Sequence, residues 1–164
     1  MAFATALDAM KRRTRSHAKL GMKIKEIMTR EVVTIHPDAT VDEAAQQMSL
    51  HDVGMLPVFE EGQMLGVFTD RDITIRVVGE GRDPRKTRVR DIMTPEIIYC
   101  YDHEDVNEAV KSFEKMQIRR VPVLNRKKQL VGVLSIGDLA VDSGDKMLAG
   151  HVLRKVSEPQ RLPL

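Results

Sequence analysis

Two stretches of the sequence align with one another, and this internal repeat constrains the fold more than any other feature. The first copy opens with Lys25-Glu26-Ile27-Met28-Thr29 and the second, 65 residues later, with Arg90-Asp91-Ile92-Met93-Thr94. One inserted residue then changes the offset to 66, so that Gly66-Val67 matches Gly132-Val133. A unit of this size cannot bury its own apolar face, and two copies can share one core. The repeat therefore predicts two units related by a pseudo-two-fold axis.

Each copy predicts the same order of elements, β-α-β-β-α, which gives an α+β fold. A first helix is indicated by apolar residues at i, i+3, i+4 and i+7 and by a capping box at its start, Thr40-x-x-Glu43 in one copy and Asp105-x-x-Glu108 in the other. The strands are expected at residues 32–35, 55–59 and 65–69, and at residues 97–100, 120–124 and 130–135. A second helix closes each copy, at residues 70–78 before Gly79 and at residues 136–141 near Gly144.

The repeat divides the chain into five segments. Residues 23–79 and 89–144 are the two copies, and residues 80–88 form a polar linker that contains Gly and Pro. Residues 1–22 form a basic arm. Residues 145–164 form a tail, which is expected to fray from Gly150 onward and can hold a short helix near residues 146–155.

The distribution of charge along the chain restricts the classes of partner that it can bind. The arm carries five of the 26 basic residues and one acidic residue, which leaves 21 basic and 23 acidic residues in the rest of the chain. This balance disfavours a nucleic-acid surface on the folded body. The arm alone keeps open a salt-dependent contact with nucleic acid, against the alternative of a solvated tail.

Hydropathy and cysteine content indicate the cellular compartment of the protein. No apolar run approaches the roughly 18 residues that a membrane span needs. The single cysteine, Cys100, excludes an internal disulfide, and the chain start lacks the apolar stretch of a secretory signal. We expect a cytoplasmic protein that does not enter a membrane.

The junction between the last strand and the second helix of each copy carries the candidate site. Thr69 and Asp72 lie there in the first copy, and Ser135 and Asp138 lie there in the second. Free amides at a helix start, together with a hydroxyl, can bind a phosphate, and a carboxylate can accept both hydroxyls of a ribose. The same spacing is typical of a helix cap, because Asp is favourable in the first turn. Spacing alone favours the cap.

The repeated Ile-Met-Thr start, the Pro-Val pairs at Pro57-Val58 and Pro122-Val123, and the two Gly-x-x-[Ser/Thr]-x-x-Asp junctions resemble tandem CBS domains. The resemblance covers residues 24–142. It extends to small bacterial proteins that consist of little more than a pair of CBS domains. It implies a homodimeric regulatory module that binds AMP, ADP, ATP or NAD between its repeats and signals to a protein effector. The residues expected at the nucleotide are Thr34, Met55, Pro57, Thr69, Arg71, Asp72, Arg119, Arg120, Pro122, Ser135 and Asp138.

Individual roles follow from side-chain chemistry. The planar fork of Arg119 or Arg120 suits a phosphate, and Arg71 is the candidate for that role in the first copy. The two prolines cannot donate to a strand ladder, so they leave an edge where a purine can meet the backbone. Gly66 and its counterpart permit a close approach of an adenine to the main chain.

Several classes of function lack support in the sequence. The scattered histidines and Cys100 show no metal-ligand spacing, and neither a nucleophile elbow nor a Walker loop is present. We expect no enzyme activity and no metal site. The alternative to a nucleotide sensor is an interaction module whose pockets are vestigial, held by the helix caps and used for dimerisation or docking.

Overall fold

The computed structural model describes residues 21–158, which form two compact units. The central unit contains residues 30–99, and the N/C unit contains residues 21–29 together with residues 100–158. The predicted basic arm lies outside the described residues except for Gly21 and Met22, as do residues 159–164 of the tail. No helix within residues 21–158 is both long and apolar enough to cross a membrane.

The two units do not coincide with the two copies of the repeat. The Ile-Met-Thr start of each copy belongs to the unit that contains the hairpin of the other copy. In the central unit, Thr94 pairs with Val67, and in the N/C unit Thr29 pairs with Val133, each through an antiparallel bridge. Each hairpin is therefore completed by a segment that lies far from it in sequence.

Thirteen helices, turns and strands make up the described residues. In chain order they are α1 (Ile24–Ile27), α2 (Val41–His51), β1 (Met55–Glu60), β2 (Gln63–Thr69), α3 (Asp70–Asp72), a π-helix (Ile73–Val78), a 3-10 turn (Val89–Asp91), β3 (Cys100–Tyr101), α4 (Val106–Met116), β4 (Arg120–Leu124), β5 (Leu130–Ser135), α5 (Ile136–Asp142) and α6 (Lys146–Ser157). Both predicted hairpins and the helices of both copies are confirmed.

The central unit packs α2 and the π-helix onto the antiparallel β1–β2 hairpin, in which Met55 lies opposite Thr69. Its core is apolar and draws on every element of the unit except α3, including the 3-10 turn that opens the second copy. The buried residues are Ile35, Val41, Ala44, Met48, Leu56, Val58, Phe68, Val77, Val89 and Ile92.

In the N/C unit β4 is the middle strand of three, parallel to β3 and antiparallel to β5. The register places Arg120 opposite Ser135. The helices α4, α5 and α6 bury Phe113, Leu139 and Val152 completely. The chain thus presents the same hairpin and strand-to-helix junction in both units.

The predicted opening strands are largely wrong. In the first copy only Ile35 pairs, through one parallel bridge to Val58, and in the second the strand is reduced to Cys100–Tyr101. Residues 32–34 and 97–98 belong to no strand within residues 21–158. Local preference for extended backbone does not by itself provide a neighbouring strand edge.

The two predicted capping boxes have different outcomes. Thr40 and Glu43 form theirs, with the Thr40 amide donating to the Glu43 carboxylate at 2.7 Å and the Glu43 amide donating to the Thr40 hydroxyl at 3.2 Å. Asp105 caps α4 through the Asn107 amide instead, at 3.0 Å, and Glu108 pairs with Lys111. The second box is therefore wrong, because Asn107 supplies the nearer donor.

The C-terminal tail is more ordered than expected. The predicted short helix exists as α6 and continues to Ser157, so the expected fraying from Gly150 onward is wrong for residues 150–157. Val152 and Val156 are buried there, and α6 packs on α4 and α5. Burial of this apolar face compensates the ordering of the chain.

Candidate functional site

Thr69 and Asp72 form a complete cap at the start of α3. The Asp72 Oδ2 atom accepts from the Thr69 amide at 2.9 Å and from its hydroxyl at 2.7 Å, and the Asp72 amide donates to the hydroxyl oxygen at 3.2 Å. One carboxylate oxygen therefore carries the cap. The other, Oδ1, is left for a different partner.

Ser135 and Asp138 reproduce this geometry at the start of α5. The Ser135 amide and hydroxyl donate to Asp138 Oδ2 at 2.6 and 2.8 Å, and the Asp138 amide donates to the Ser135 hydroxyl oxygen at 3.1 Å. Both junctions therefore have the cap that the spacing favours. In both, Oδ1 of the aspartate lies outside the cap.

The partner of that second oxygen differs between the units. In the central unit, Arg76 Nη1 lies 3.4 Å from Asp72 Oδ1 and also donates to the Ile92 carbonyl at 2.5 Å and to the Thr94 hydroxyl at 3.4 Å. In the N/C unit, the Thr29 hydroxyl donates to Asp138 Oδ1 at 3.3 Å. One carboxylate faces a cation, and the other faces an exposed neutral hydroxyl.

Neither Arg76 nor Thr29 is among the residues predicted at the site. Thr29 and Thr94 are the last residues of the repeated Ile-Met-Thr start, so their recurrence was the available signal. Arg76 has no such signal, because the offset of 66 places Asp142 at its position in the second copy. The two junctions therefore carry opposite charges one helical turn beyond the aspartate.

The remaining predicted residues fall into two sets. The central unit contains Thr34, which is exposed, Met55 and Pro57, which are buried, and Arg71, which lines a shallow depression of about 310 Å³. The Pro57 carbonyl accepts from the Ile35 amide at 3.0 Å, so part of the predicted open edge is occupied by the chain itself.

The N/C unit contains Arg119, Arg120 and Pro122. Both arginines are exposed, and Arg119 precedes β4 rather than continuing it. Pro122 is buried in β4.

A second segment of the protein itself approaches Gly66 and Gly132 closely. A methyl group added at Gly66 would overlap the carbonyl oxygen of Thr94, and one added at Gly132 would lie 2.9 Å from the carbonyl oxygen of Thr29. These glycines admit the threonine segments that bridge to the hairpins. The close approach is real, but the backbone that approaches belongs to the protein.

Three potential metal ligands, which the sequence analysis did not group, meet in the central unit. One ligand atom from each of His36, Asp38 and Glu60 lies within 4.8 Å of the others. Arg90 shares this place, with Nε 2.7 Å from Asp38 Oδ1 and Nη2 3.4 Å from Glu60 Oε1. The guanidinium supplies the positive charge that the two carboxylates require, which makes the group an ion-pair cluster.

A family model for the CBS domain matches residues 24–79 and 89–142. YhcV, a CBS domain-containing protein of Bacillus subtilis, is 37% identical over 134 residues, which cover 82% of this chain and 94% of YhcV.

Two solved structures are similar in both sequence and fold. The crystal structure of Hypoxic Response Protein I with two coordinated zinc ions has a TM-score of 0.66 at 32% identity and covers 73% of this chain and 97% of its own. The CBS domain pair of protein MJ0100 in complex with 5-methylthioadenosine and S-adenosyl-L-methionine has a TM-score of 0.66 at 26% identity, over 73% of this chain and 93% of its own.

Proposed function

Because the chain belongs to the CBS-domain family and carries two copies of the domain, we propose that it is a non-catalytic regulatory module that binds an adenosine-containing ligand. One observation carries the proposal: each unit holds an aspartate at the same strand-to-helix junction, with Oδ2 fixed by the cap and Oδ1 outside it. A carboxylate oxygen in this position accepts hydroxyl donors, and a ribose offers two. The adenosine ligands of the similar MJ0100 pair support the same class of ligand.

The cap and the ligand site are compatible under this proposal. The cap uses one oxygen of the carboxylate and fixes its orientation, so the ligand has no need to displace it. A side chain that is already held in place loses little conformational entropy when it binds. The capping geometry is then a means of preorganising the ribose acceptor.

The junction in the N/C unit is the stronger candidate. Asp138 Oδ1 accepts from the Thr29 hydroxyl at 3.3 Å, and a ribose hydroxyl can replace that neutral donor without leaving a charge unpaired. Asp72 Oδ1 already faces the Arg76 guanidinium. Arg120 lies opposite Ser135 in the ladder, so a side chain whose planar fork suits a phosphate lies beside the cap. We therefore propose that a phosphorylated adenosine compound occupies the Ser135–Asp138 junction first.

The ligand acts by selecting among conformations of the chain. A ligand shifts such an equilibrium only by its difference in affinity for the two states, so the signal depends on contacts that exist in one state alone. The Thr29–Asp138 hydrogen bond is one such contact, because a ribose competes for it. Its loss on binding would free the Thr29 hydroxyl while the backbone bridge to Val133 keeps the segment in place, and a protein effector would detect this local change.

Calorimetry with AMP, ADP, ATP, NAD and S-adenosylmethionine tests the proposal. We expect at least one to bind, and we expect Asp138→Asn to weaken that binding by about tenfold or more, since a hydrogen bond to a charged group is lost. Asp142→Asn removes the same charge from the exposed end of α5 and is the matched control. If none of the five compounds binds, or if both variants weaken binding equally, the proposal is wrong.

A second candidate function, dimerisation or docking, has its own observation. Ile75 on the π-helix is 49% exposed and Val141 on α5 is 79% exposed, and the offset of 66 makes them equivalent positions of the two copies. Large apolar side chains repeated at one exposed position favour contact with a second copy of the chain. Sedimentation of Val141→Lys, with the exposed neighbour Ala140→Lys as control, would reveal a loss of dimer specific to Val141.

A further inference from the structure

A basic pocket of about 420 Å³ lies in the N/C unit, where the turn between β4 and β5 meets the start of α1. Its cations are Lys25, Arg126 and Lys127, and Asp102 is its only carboxylate. None of the predicted nucleotide-binding residues lines it. The pocket is therefore a separate feature from the Ser135–Asp138 junction.

Backbone hydrogen bonds hold this pocket in shape. The Lys25 amide donates to the Asp102 carbonyl at 2.9 Å, which anchors α1. The Asn125 Oδ1 atom accepts from the amides of Lys127 and Gln129 at 2.9 and 3.0 Å, which fixes the turn that carries the other two cations. The charged side chains thus extend from a backbone that is already ordered.

At the equivalent position of the central unit, carboxylates balance the positive charge. The repeat alignment puts Arg90 at the position of Lys25, and its amide donates in the same way to the Pro37 carbonyl at 2.9 Å. Asp38 and Glu60, which stand where the N/C unit has His103 and Asn125, neutralise Arg90 at 2.7 and 3.4 Å.

The N/C unit lacks both of those carboxylates and has additional cations. Where the central unit has Glu61, the N/C unit has Arg126. Neither the Arg126 nor the Lys127 side chain forms an ion pair or hydrogen bond with any residue in the described part of the chain. The one carboxylate, Asp102, lies 3.2 Å from His103 Nδ1. Arg126 and Lys127 therefore bring positive charge to the pocket that no side chain in the described part of the chain pairs with.

We propose that the basic pocket binds a small anion of the phosphate class. The Arg126 fork donates two parallel hydrogen bonds to a tetrahedral oxyanion, and the ammonium groups of Lys25 and Lys127 add charge without demanding a fixed direction. Free polyphosphate and the phosphate of a small ester offer the same chemistry, and the choice between them depends on how many phosphates the pocket contacts.

The test uses the full chain, isotope-labelled for NMR at low ionic strength, and titrates it with inorganic phosphate, pyrophosphate, tripolyphosphate and AMP. We expect saturable shifts of the amides of His103 and of residues 125–129. Pyrophosphate or tripolyphosphate binding more tightly than AMP would identify polyphosphate as the ligand, and the reverse order would identify a phosphate ester. Arg126→Gln combined with Lys127→Gln should weaken the response by about tenfold or more.

The matched control is Arg85→Gln combined with Lys86→Gln, which removes two exposed charges from the linker of the central unit. If both double variants weaken the shifts equally, the response is a general effect of net charge, and the proposal is overturned. It is also overturned if none of the four probes shifts these amides. Shifts at the Asp138 amide report separately on the adenosine site, so the failure of one proposal does not imply the failure of the other.

Discussion

Arg76 lies with Nη1 3.4 Å from Asp72 Oδ1 and donates from the same atom to the Ile92 carbonyl. One guanidinium therefore joins the candidate site of the central unit to the segment that opens the second copy of the repeat. The second copy has Asp142 at the equivalent position. This contact is the main asymmetry between two otherwise similar junctions.

Arg76→Gln should lower the free energy of unfolding by about 1 kcal/mol, because the Arg76 side chain is 41% exposed and solvent weakens the ion pair. A double-mutant cycle with Asp72→Asn should give a coupling of about 0.5 to 1 kcal/mol, measured by urea unfolding. A coupling of zero would mean that the hydrogen bonds to the Ile92 carbonyl and the Thr94 hydroxyl carry the whole contribution of Arg76.

Gly66→Ala should destabilise the chain by about 1 to 3 kcal/mol, since its methyl group would overlap the Thr94 carbonyl and neither backbone can move freely. Thermal unfolding measures the change. Gly150→Ala in α6 is the control, because no atom apart from its chain neighbours and the backbone of its own helix lies within 4 Å of the added methyl group, and there we expect unchanged or slightly higher stability. Equal effects at both positions would contradict the close approach.

Ser135→Ala should cost about 1 kcal/mol of stability without any ligand, because α5 loses the hydroxyl that accepts from the Asp138 amide. Ser135→Thr keeps that acceptor and should retain most of the stability. Unfolding by urea in the absence of nucleotides provides the measurement. If Ser135→Ala were as stable as the wild type, the cap would have no structural value.

The Cys100 thiol should react slowly while the chain is folded. Burial, with a smaller contribution from Glu104, raises the pKa of Cys100 to about 11 from 9.0. At pH 8 the thiolate fraction is then about a hundredfold lower than in the unfolded chain, which labelling with a thiol reagent measures with and without denaturant. Equal labelling rates would contradict the burial of this residue.

The same shift has a consequence for stability at high pH. Between pH 9 and 11 the unfolded chain releases the Cys100 proton while the folded chain keeps it, so stability falls as pH rises through this window. Cys100→Ala removes this contribution. Its free energy of unfolding should therefore decrease less steeply than that of the wild type over the same range.

Much of the fold could be predicted because the signals are local. The apolar periodicity of Val41 to His51 and the Thr40–Glu43 box are contained within one helix, and both copies show the hairpin pattern. The prediction of the opening strands was wrong because strand pairing depends on a strand edge elsewhere in the chain. Ile35 pairs with Val58, but residues 32–34 pair with no strand in the described part of the chain.

The candidate site was predicted in part for the same reason. Thr69, Asp72, Ser135 and Asp138 lie within single turns, so their spacing reveals their contact. Arg76 meets Ile92 across 16 residues, and the basic pocket joins Lys25 to residues about a hundred positions away. Such contacts depend on the tertiary arrangement and cannot be predicted from the spacing of residues along the sequence.

The exchange of the Ile-Met-Thr starts separates the unit of duplication from the unit of folding. A gene fragment that encodes one copy would express a hairpin without the segment that fills its core, because Val89 and Ile92 are buried in a unit otherwise built from the first copy. Each hairpin depends on a segment from the other copy, so we expect neither half of the present chain to fold cooperatively by itself.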